Sequence, residues 1–260
     1  MANELIYAFG ISNDLPQLGR KPGFAGLETI SAGGFHAIVK MVSDSEFSEE
    51  NLKKNLADLR WLDLNARLHV TILSLLMEDY TVIPFNFGTI YHSAETLTKF
   101  IGDYSDSLTR NLEFIGKKEE WAIKIYSNQA VLKEHIDNLS PEAADLEKQI
   151  MSSSPGKAFL LSRKKIELID NEIDRLCKKY GQECYNEFKS LSASTGLNNL
   201  VPKEFSGRNE NMILNACFLV AKDRAIEFVA AVDRLTNKYS NFGFVVEATG
   251  PWPPFSFINL

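Results

Sequence analysis

Residues 212–248 read MILNACFLVAKDRAIEFVAAVDRLTNKYSNFGFVVEA, and they predict a strand, a helix and a second strand in that order. The two strands, Met212–Ala221 and Phe242–Ala248, are rich in the β-branched and aromatic residues that strands prefer. The residues between them, Lys222–Lys238, form the predicted helix. Such a unit is one half of a fold in which helices cross over a sheet.

An earlier stretch shows the same order of elements. It predicts a strand at Val82–Tyr91, a helix at Ser93–Ile115 that Ser93 caps, and a strand at Glu120–Tyr126. Joined with residues 212–248, the order is β-α-β-β-α-β, which is the split βαβ or ferredoxin-like plan. Right-handed crossovers then lay both helices on one face of an antiparallel sheet. The sequence therefore predicts an α+β fold.

The segment between these halves, about residues 128–199, reads as a helical insertion. Two apolar stripes recur in it at intervals of three and four residues, as in helices that pack along each other. The stripes comprise Leu139, Ala143, Leu146 and Ile150, and Ile166, Ile169, Ile173, Leu176 and Tyr180. We expect a helical hairpin that projects from the sheet domain.

The chain before residue 81 predicts a different arrangement. Leu5–Phe9 reads as a strand, and Leu27–Ile30 and Phe35–Val42 read as a hairpin. The hairpin turns at Gly33-Gly34, because glycine accepts the positive φ angles of such a turn. Apolar residues at helical spacing continue to Met77. An antiparallel sheet with helices is expected here.

These patterns divide the chain into two predicted domains. We expect an N-terminal α+β domain over residues 1–80 and a ferredoxin-like domain, with its insertion, over residues 81–260. The end of the chain, 250–260, places three prolines between aromatic residues. Because proline excludes helix and central strand, this segment is predicted to be an extended docking tail.

The composition is that of a folded chain without strong charge bias. Apolar residues make up 45% of the 260 residues and charged residues 24%, close to globular averages. The 28 basic and 34 acidic side chains leave a net charge of −6, which disfavours nucleic acid as a partner. The apolar runs are too short for a membrane span, and the first residues do not resemble a signal peptide. With three cysteines in no paired framework, we expect a cytoplasmic protein.

No sequence motif predicts a catalytic, cofactor or metal site. The sequence has no glycine-rich phosphate loop, no G-x-S-x-G elbow and no histidine pair at metal-ligand spacing. His69 is the residue with most claim to chemistry, because it follows Arg67 in a strongly helical segment and could serve as a general base. An enzyme of this kind would show His69 in an interdomain cleft with a converging acid or nucleophile, whereas a binding protein would tie it into helix packing.

A further alternative is an RNA-binding module. Residues Ser240–Glu247 resemble the aromatic octamer on which RNA-recognition sheets stack bases. The basic first position and the aromatic last position of that octamer are missing, and the chain is acidic. These departures disfavour RNA binding.

Six short blocks of sequence are distinctive in combination. They are Leu5–Gly10, Trp61–Leu62 with Ala66 and His69, Ile83–Ile90, Gly116–Lys124, Gly156–Leu161 and Gly250–Phe257. In this order, and across nearly the whole chain, they resemble the gas vesicle protein F/L family, and GPWPPFSF at the end is the most specific block. The signature positions, which we expect to be structural, are Trp61, His69, Pro84, Phe87, Gly88, Trp121, Gly250, Pro251, Trp252 and Pro253.

The resemblance implies an accessory protein of gas vesicles, without known catalysis, that helps to form the hollow shell or is a minor part of it. It implies an N-terminal α/β domain followed by a modified ferredoxin-like domain, in agreement with the element order. The implied partners are the major gas vesicle shell protein and other gas vesicle accessory proteins, with no metal, cofactor, nucleic acid or membrane. The residues leave F-type and L-type paralogues open, and we take F-type as the working assignment.

Two details refine this resemblance. Asn86 stands where the family commonly has Arg, so a salt bridge made by that Arg is not expected here. The lysine content points to a non-halophilic bacterial form. A shell protein has to present an apolar face to gas, and a soluble adaptor could shield that face before assembly. We expect contact through the exposed edge of the ferredoxin-like sheet or the groove between domains.

Overall fold

The computed structural model describes residues 4–20 and 22–260, which fold as two units. The first unit comprises Met1–Glu120 and Pro251–Leu260, and the second comprises Trp121–Gly250. This division differs from the predicted boundary after residue 80, because the elements that follow residue 80 pack with the first unit. The expectation about a signal peptide concerns residues 1–3, which lie outside the described residues, as does residue 21 of the N-terminal loop.

The first unit contains an antiparallel sheet with the strand order β2-β3-β1-β4, and β5 also pairs with β1. The strands are β1 (Glu4–Ser12), β2 (Leu27–Ala32), β3 (Phe35–Ser43), β4 (Ile83–Pro84) and β5 (Ile90–Tyr91). The helices are α1 (Asp44–Phe47), α2 (Glu49–Asn55), α3 (Leu59–Met77), α4 (Ala94–Asp103) and α5 (Ser105–Ile115). The predicted hairpin is confirmed, since Ala32 pairs with Phe35 and both turn glycines have positive φ.

Both faces of the first sheet are buried by helices. Leu5, Tyr7 and Phe9 of β1 pack in a cluster with α3, whereas Ile6 and Ala8 pack in a second cluster with α4 and α5. This alternation follows from the two-residue period of a strand. Central burial on both sides explains why β1 is apolar almost throughout.

The predicted strand Val82–Tyr91 is wrong as a single element. A turn interrupts it, in which Thr89 N–H donates to the Asn86 carbonyl at 3.2 Å and Gly88 has a φ of 81°. The two short strands that remain, β4 and β5, both pair with β1 in the first sheet. They therefore do not open the second domain. The helix predicted over Ser93–Ile115 is two helices, α4 and α5.

The second unit contains a sheet with the strand order β7-β8-β6-β9. Its strands are β6 (Lys118–Ser127), β7 (Ser194–Leu197), β8 (Asn211–Ala221) and β9 (Phe244–Trp252). Its helices are α6 (Gln129–Glu134), α7 (Ile136–Leu139), α8 (Pro141–Met151), α9 (Pro155–Ser190), α10 (Lys203–Ser206) and α11 (Ala225–Tyr239). The predicted strand-helix-strand order of residues 212–248 is confirmed by β8, α11 and β9.

Most of α9 belongs to the core of this unit. Ile173, Leu176 and Phe188 are buried in the same cluster as Phe218 of β8 and Phe228 of α11. The prediction that the helices of residues 128–199 project from the sheet domain is therefore wrong for most of α9. Of the predicted stripe, Ile169, Ile173 and Leu176 are buried and Tyr180 packs against them, whereas Ile166 is exposed. The buried part packs on the sheet as well as on a partner helix.

Only the first part of α9 forms a hairpin with α8. Ala143 and Leu146 of α8 are buried, and Ser140 caps the helix by accepting a hydrogen bond from Ala143 N–H at 3.3 Å. Lys165 of α9 contacts carboxylates of both Asp137 and Glu147, at 2.8 and 2.9 Å. Beyond these contacts the end of the hairpin is exposed. No helix in the described part of the chain combines the length and apolar character needed to cross a membrane.

Candidate functional site

His69 lies on α3 in the middle of the first unit and is 1% exposed. Its Nδ1 atom is 2.8 Å from the Tyr7 hydroxyl oxygen, and its Nε2 atom is 3.0 Å from the Phe85 carbonyl oxygen. The Tyr7 hydroxyl also accepts a hydrogen bond from Gly88 N–H at 3.3 Å. This network joins α3, β1 and the turn between β4 and β5.

The partners determine the protonation state of His69. A carbonyl can only accept, so Nε2 carries the hydrogen and donates it to Phe85. Nδ1 of the neutral ring then accepts from the Tyr7 hydroxyl, which in turn accepts from Gly88 N–H. Burial lowers the pKa of His69, against the opposing effect of the Phe85 hydrogen bond, and burial also raises the pKa of Tyr7. Both groups are therefore neutral.

Aromatic rings surround this hydrogen-bond network. The His69 ring stacks on Phe9 with a centroid distance of 5.4 Å and meets Phe87 edge-on at 5.9 Å. Phe255, from the end of the chain, stacks at 6.3 Å. The low dielectric of such surroundings strengthens satisfied hydrogen bonds and penalises unsatisfied ones.

A cavity of about 280 Å³ lies beside these rings, and the first unit alone lines it. Tyr7, His69 and Phe47 contribute to its wall, and Lys40 and Glu46 contribute charges. The Glu46 carboxylate accepts a hydrogen bond from the Trp61 indole nitrogen at 2.8 Å. Within residues 4–20 and 22–260, neither hydrogen-bond partner of His69 is an acid or a nucleophile of the kind an enzyme would require.

The end of the chain is held by a second buried polar cluster in the first unit. The Glu120 carboxylate accepts hydrogen bonds from Ser256 N–H at 2.9 Å and from the Ser256 hydroxyl at 2.6 Å. Asn111 donates to the Asn259 carbonyl at 2.9 Å and accepts from Asn259 N–H at 3.1 Å. Burial raises the pKa of Glu120, and the two bonds from Ser256 oppose that rise. The tail is thus bound to specific side chains.

The signature positions lie in several environments. Trp61 and Phe87 pack in the His69 surroundings, Pro84 ends β4, and Gly88 takes the positive φ of the following turn. Trp121 lies in the second unit, 5.8 Å from the Phe228 ring. The remaining positions occupy the last strand and the tail, where Gly250, Pro251 and Trp252 are exposed and Pro253 is buried. The structure brings Trp61, His69, Phe87 and Gly88 together and places the others elsewhere.

Metal and thiol chemistry find no support in the described residues. No three His, Cys, Asp or Glu side chains among them converge as a metal site would require. The three cysteines are buried, and none of them forms a disulfide bond. Burial raises the pKa of Cys184 to about 12 and also raises that of Cys177, which donates to the Ser127 hydroxyl. High thiol pKa values keep these groups protonated and unreactive.

The octamer that resembles an RNA-binding strand does not form a stacking platform. Phe244 is buried in the core of the second unit, and Phe242 packs against that core. Bases stack only on exposed rings. The location of these rings therefore disfavours the RNA-binding alternative.

The end of the α8–α9 hairpin shows the opposite character to these buried sites. Met151, Phe159, Leu160 and Ile166 are exposed large apolar side chains. The Arg163 guanidinium lies 5.9 Å from the centre of the Phe159 ring. Exposed apolar groups concentrated on one element are typical of an interaction surface.

Comparison with known proteins places the chain in a family. The model of the gas vesicle synthesis protein GvpL/GvpF family matches residues 5–259. The chain belongs to this family. Its role is that of a gas vesicle accessory protein, and the family is not known as enzymatic.

Relatives in this GvpL/GvpF family carry both names. Gas vesicle protein L of Streptomyces sp. (strain CB03234) is 25% identical over 97% of this chain and 86% of its own length. Gas vesicle protein F of Haloferax mediterranei is 24% identical over 98% of this chain and 93% of its own length. The crystal structure of GvpF from Anabaena sp. PCC7120 superposes with a TM-score of 0.70 at 17% identity, covering 99% of both chains. The likeness to that GvpF structure shows that the two chains share a fold of mixed helices and sheets.

Sequence reasoning found His69 but not its partners. Tyr7 and Phe85 lie within resembling blocks, yet they are 62 and 16 residues away from His69, and no local spacing connects them. Glu120 falls in a predicted strand and in a resembling block, but it directly follows the charged residues 117–119, so no local signal marks it as buried. Asn86 is exposed, and its carbonyl accepts a hydrogen bond from the Thr89 hydroxyl within the turn.

Proposed function

We propose that this protein assists assembly of the gas vesicle shell by binding the major shell protein and other gas vesicle accessory proteins in the cytoplasm. The observation that carries this proposal is the family match, which extends over residues 5–259 and so covers nearly all of the given chain. Retention as a minor shell component is compatible with the same binding activity.

The physical need for such a protein supports the proposal. A protein wall that encloses gas exposes apolar surface on one side, and unassembled subunits with such a surface aggregate in water. An adaptor has to offer exposed apolar groups on a stable fold. Among the described residues, such groups include Leu64 on α3, Phe159 on α9 and Leu197 on β7.

The surroundings of His69 favour a binding protein over the enzyme alternative. Both ring nitrogens are used in hydrogen bonds that join structural elements, and the ring is neutral and enclosed. A general base needs a free lone pair within reach of a substrate proton. We therefore assign His69, with Trp61, Phe87 and Gly88, a structural role.

We further propose that the second unit is a modified ferredoxin-like domain and that the first is an α/β domain. The strand order β7-β8-β6-β9 equals the order of the split βαβ plan if β6, β7, β8 and β9 are its successive strands. In this assignment α9 and α11 are the two crossover helices. The exposed edge strand β7 is then available to pair with a strand of the shell protein.

Deletion of the gene, followed by electron microscopy of gas vesicles, tests the proposed function. We expect vesicles to be absent or malformed, and we expect the purified protein to retain the major shell protein in a pull-down. Normal vesicles without the gene, together with no retention, would refute the proposal.

A matched pair of variants tests the edge-strand contact. Leu197→Ala removes an exposed side chain from β7, whereas Ile226→Ala removes one from α11. We expect weaker retention of the shell protein only for Leu197→Ala. Equal retention by both variants would place the contact on another surface while leaving the assembly function intact.

A further inference from the structure

The end of the α8–α9 hairpin concentrates apolar side chains that the protein itself does not cover. Phe159 is 64% exposed and Leu160 is 67% exposed, and Met151 and Ile166 are also exposed. These four large side chains fall within one short stretch of the second unit. A solvated hairpin end would ordinarily carry polar residues there.

The same stretch is basic, although the whole chain is acidic. Between Lys148 and Glu167 the sequence has several lysine and arginine residues and no aspartate or glutamate. Lys148 pairs with Asp145, and Lys165 pairs with two carboxylates. The remaining cations of this stretch are Lys157, Arg163 and Lys164.

These remaining cations form no ion pair with a described carboxylate, although Glu167 stands one turn after Arg163. Elsewhere on helix surfaces of this protein, cations commonly pair with an acid one turn away, as Lys53 does with Glu49 and Lys99 with Asp103. Such pairing is absent at the hairpin end, where Arg163 instead lies over the Phe159 ring. Positive charge is therefore left for an external group.

The spacing of the exposed residues indicates the shape of that group. Phe159, Arg163 and Ile166 stand at positions i, i+4 and i+7, which form one stripe along a helix. Such a stripe fits beside another helix that carries apolar residues at the same spacing. Opposite charge on that helix would complement Arg163 and Lys164.

We propose that the exposed hairpin end, formed by Met151, Phe159, Leu160, Arg163, Lys164 and Ile166, is the docking surface for an acidic amphipathic helix of another gas vesicle protein. This inference rests on the proposed assembly function, because it takes the partner from the proteins that assemble with the shell. The partner helix lies along the first turns of α9, places apolar side chains against Phe159 and Ile166, and places carboxylates against Arg163 and Lys164.

Other occupants fit these observations less well. Symmetric pairing of two hairpin ends would bring equal positive charges together, which opposes a second copy of this chain. An anionic membrane would attract the hairpin end but repel the remainder of a chain with net charge −6. A protein helix needs to contact only the basic surface.

Site-specific photo-crosslinking tests the proposal in cells that form vesicles. A photoreactive phenylalanine analogue replaces Leu160 in one strain and Ile226, an exposed residue of α11, in the control strain. We expect Leu160 to crosslink to an acidic helical segment of a gas vesicle protein at least ten times more than Ile226 does. Crosslinks chiefly between copies of this chain, or flotation of the purified protein with phosphatidylglycerol vesicles that depends on Arg163 and Lys164, would overturn it.

Complementation separates this inference from the proposed function. In a strain lacking the gene, the double variants Phe159→Ser with Leu160→Ser, and Arg163→Glu with Lys164→Glu, should restore at least tenfold fewer vesicles than Ile226→Ser. Full restoration by both double variants would overturn the docking surface while leaving the assembly function standing. If deletion itself leaves vesicles normal, the assembly function fails first.

Discussion

The His69 network in the first unit and the hairpin end in the second differ in the burial of their apolar side chains and in the pairing of their polar ones. Around His69, each ring nitrogen has a hydrogen-bond partner and aromatic rings exclude water. At the hairpin end, Phe159 and Leu160 are exposed, and Arg163 and Lys164 form no ion pair among the described residues.

This difference separates residues that stabilise the fold from residues that are available to bind a partner. A buried polar network that is fully satisfied helps to specify one arrangement of helices and strands, and it is costly to disturb. Exposed apolar and unpaired charged groups contribute little to folding, so their presence requires another reason. His69, the residue with most claim to chemistry in the sequence, lies in the buried network and uses both ring nitrogens there.

The strongest test of this comparison removes His69. We expect His69→Ala to lower the free energy of unfolding by about 3 kcal/mol, because it leaves a cavity and deprives the Tyr7 hydroxyl and the Phe85 carbonyl of their partner. Urea denaturation measures the change. His92→Ala, at an exposed position, is the control and should change stability by less than about 0.5 kcal/mol. If the two variants are equally stable, the network is not structural.

The next largest expected loss of stability comes from the buried polar cluster of Glu120 and Ser256, which holds the end of the chain. Glu120→Ala removes both acceptors of Ser256, and we expect a loss of about 2 kcal/mol in the free energy of unfolding. Glu120→Gln should lose less, because its amide oxygen still accepts a hydrogen bond and it carries no charge to bury. Glu113→Ala, exposed on α5, serves as the control. Equal stability of all three variants would show that the hydrogen bonds between Glu120 and Ser256 do not stabilise the protein.

The pH dependence of stability tests whether His69 is neutral in the folded protein. Its folded pKa is lowered by burial, so only the unfolded chain takes up this proton just below the ordinary value of about 6.5. Stability from this group is present above that value and is lost as the pH falls toward the folded pKa, by at most about 1.4 kcal/mol per pH unit.

Denaturation curves at pH 7.5 and 5.5 measure this effect in the wild type and in His69→Gln. Glutamine can still donate and accept but does not titrate, so the loss on acidification should be smaller in the variant. Glu120 acts in the opposite direction, because its raised pKa lends stability at low pH that disappears as the pH rises. Its contribution is common to both proteins and cancels. Identical pH dependence in both proteins would mean that folding does not lower the pKa of His69.

The sequence predicted elements whose signals are local. The turn at Gly33-Gly34, the order of residues 212–248 and the buried stripe on α9 all follow from neighbouring residues. The prediction of a single strand over Val82–Tyr91 is wrong, because a turn divides this apolar run into two short strands. Assigning that run to a sheet requires knowing that it pairs with β1, and such long-range pairing has no local signal.

In the candidate sites too, single residues were predicted from local sequence, whereas their partners were not. His69 was found from its residue type, but the partners that define its role are brought to it by the fold. The tail was predicted to dock from its prolines and aromatic residues, whereas its anchor Glu120 lies 136 residues away from Ser256. The basic apolar stretch at the hairpin end is visible in the sequence, yet only exposure in the structure distinguishes Phe159 and Ile166 from core residues.

The smallest expected effect tests the second half of the comparison. Phe159→Ser combined with Leu160→Ser should change the free energy of unfolding by less than about 0.5 kcal/mol, because both side chains remain in water when the protein folds. Ile173→Ser, on the same helix but buried, should cost several times more, about 3 kcal/mol. Urea denaturation of both variants measures the contrast. A large loss in the double variant would show that the hairpin end packs within this protein, and no exposed apolar surface would then require a partner.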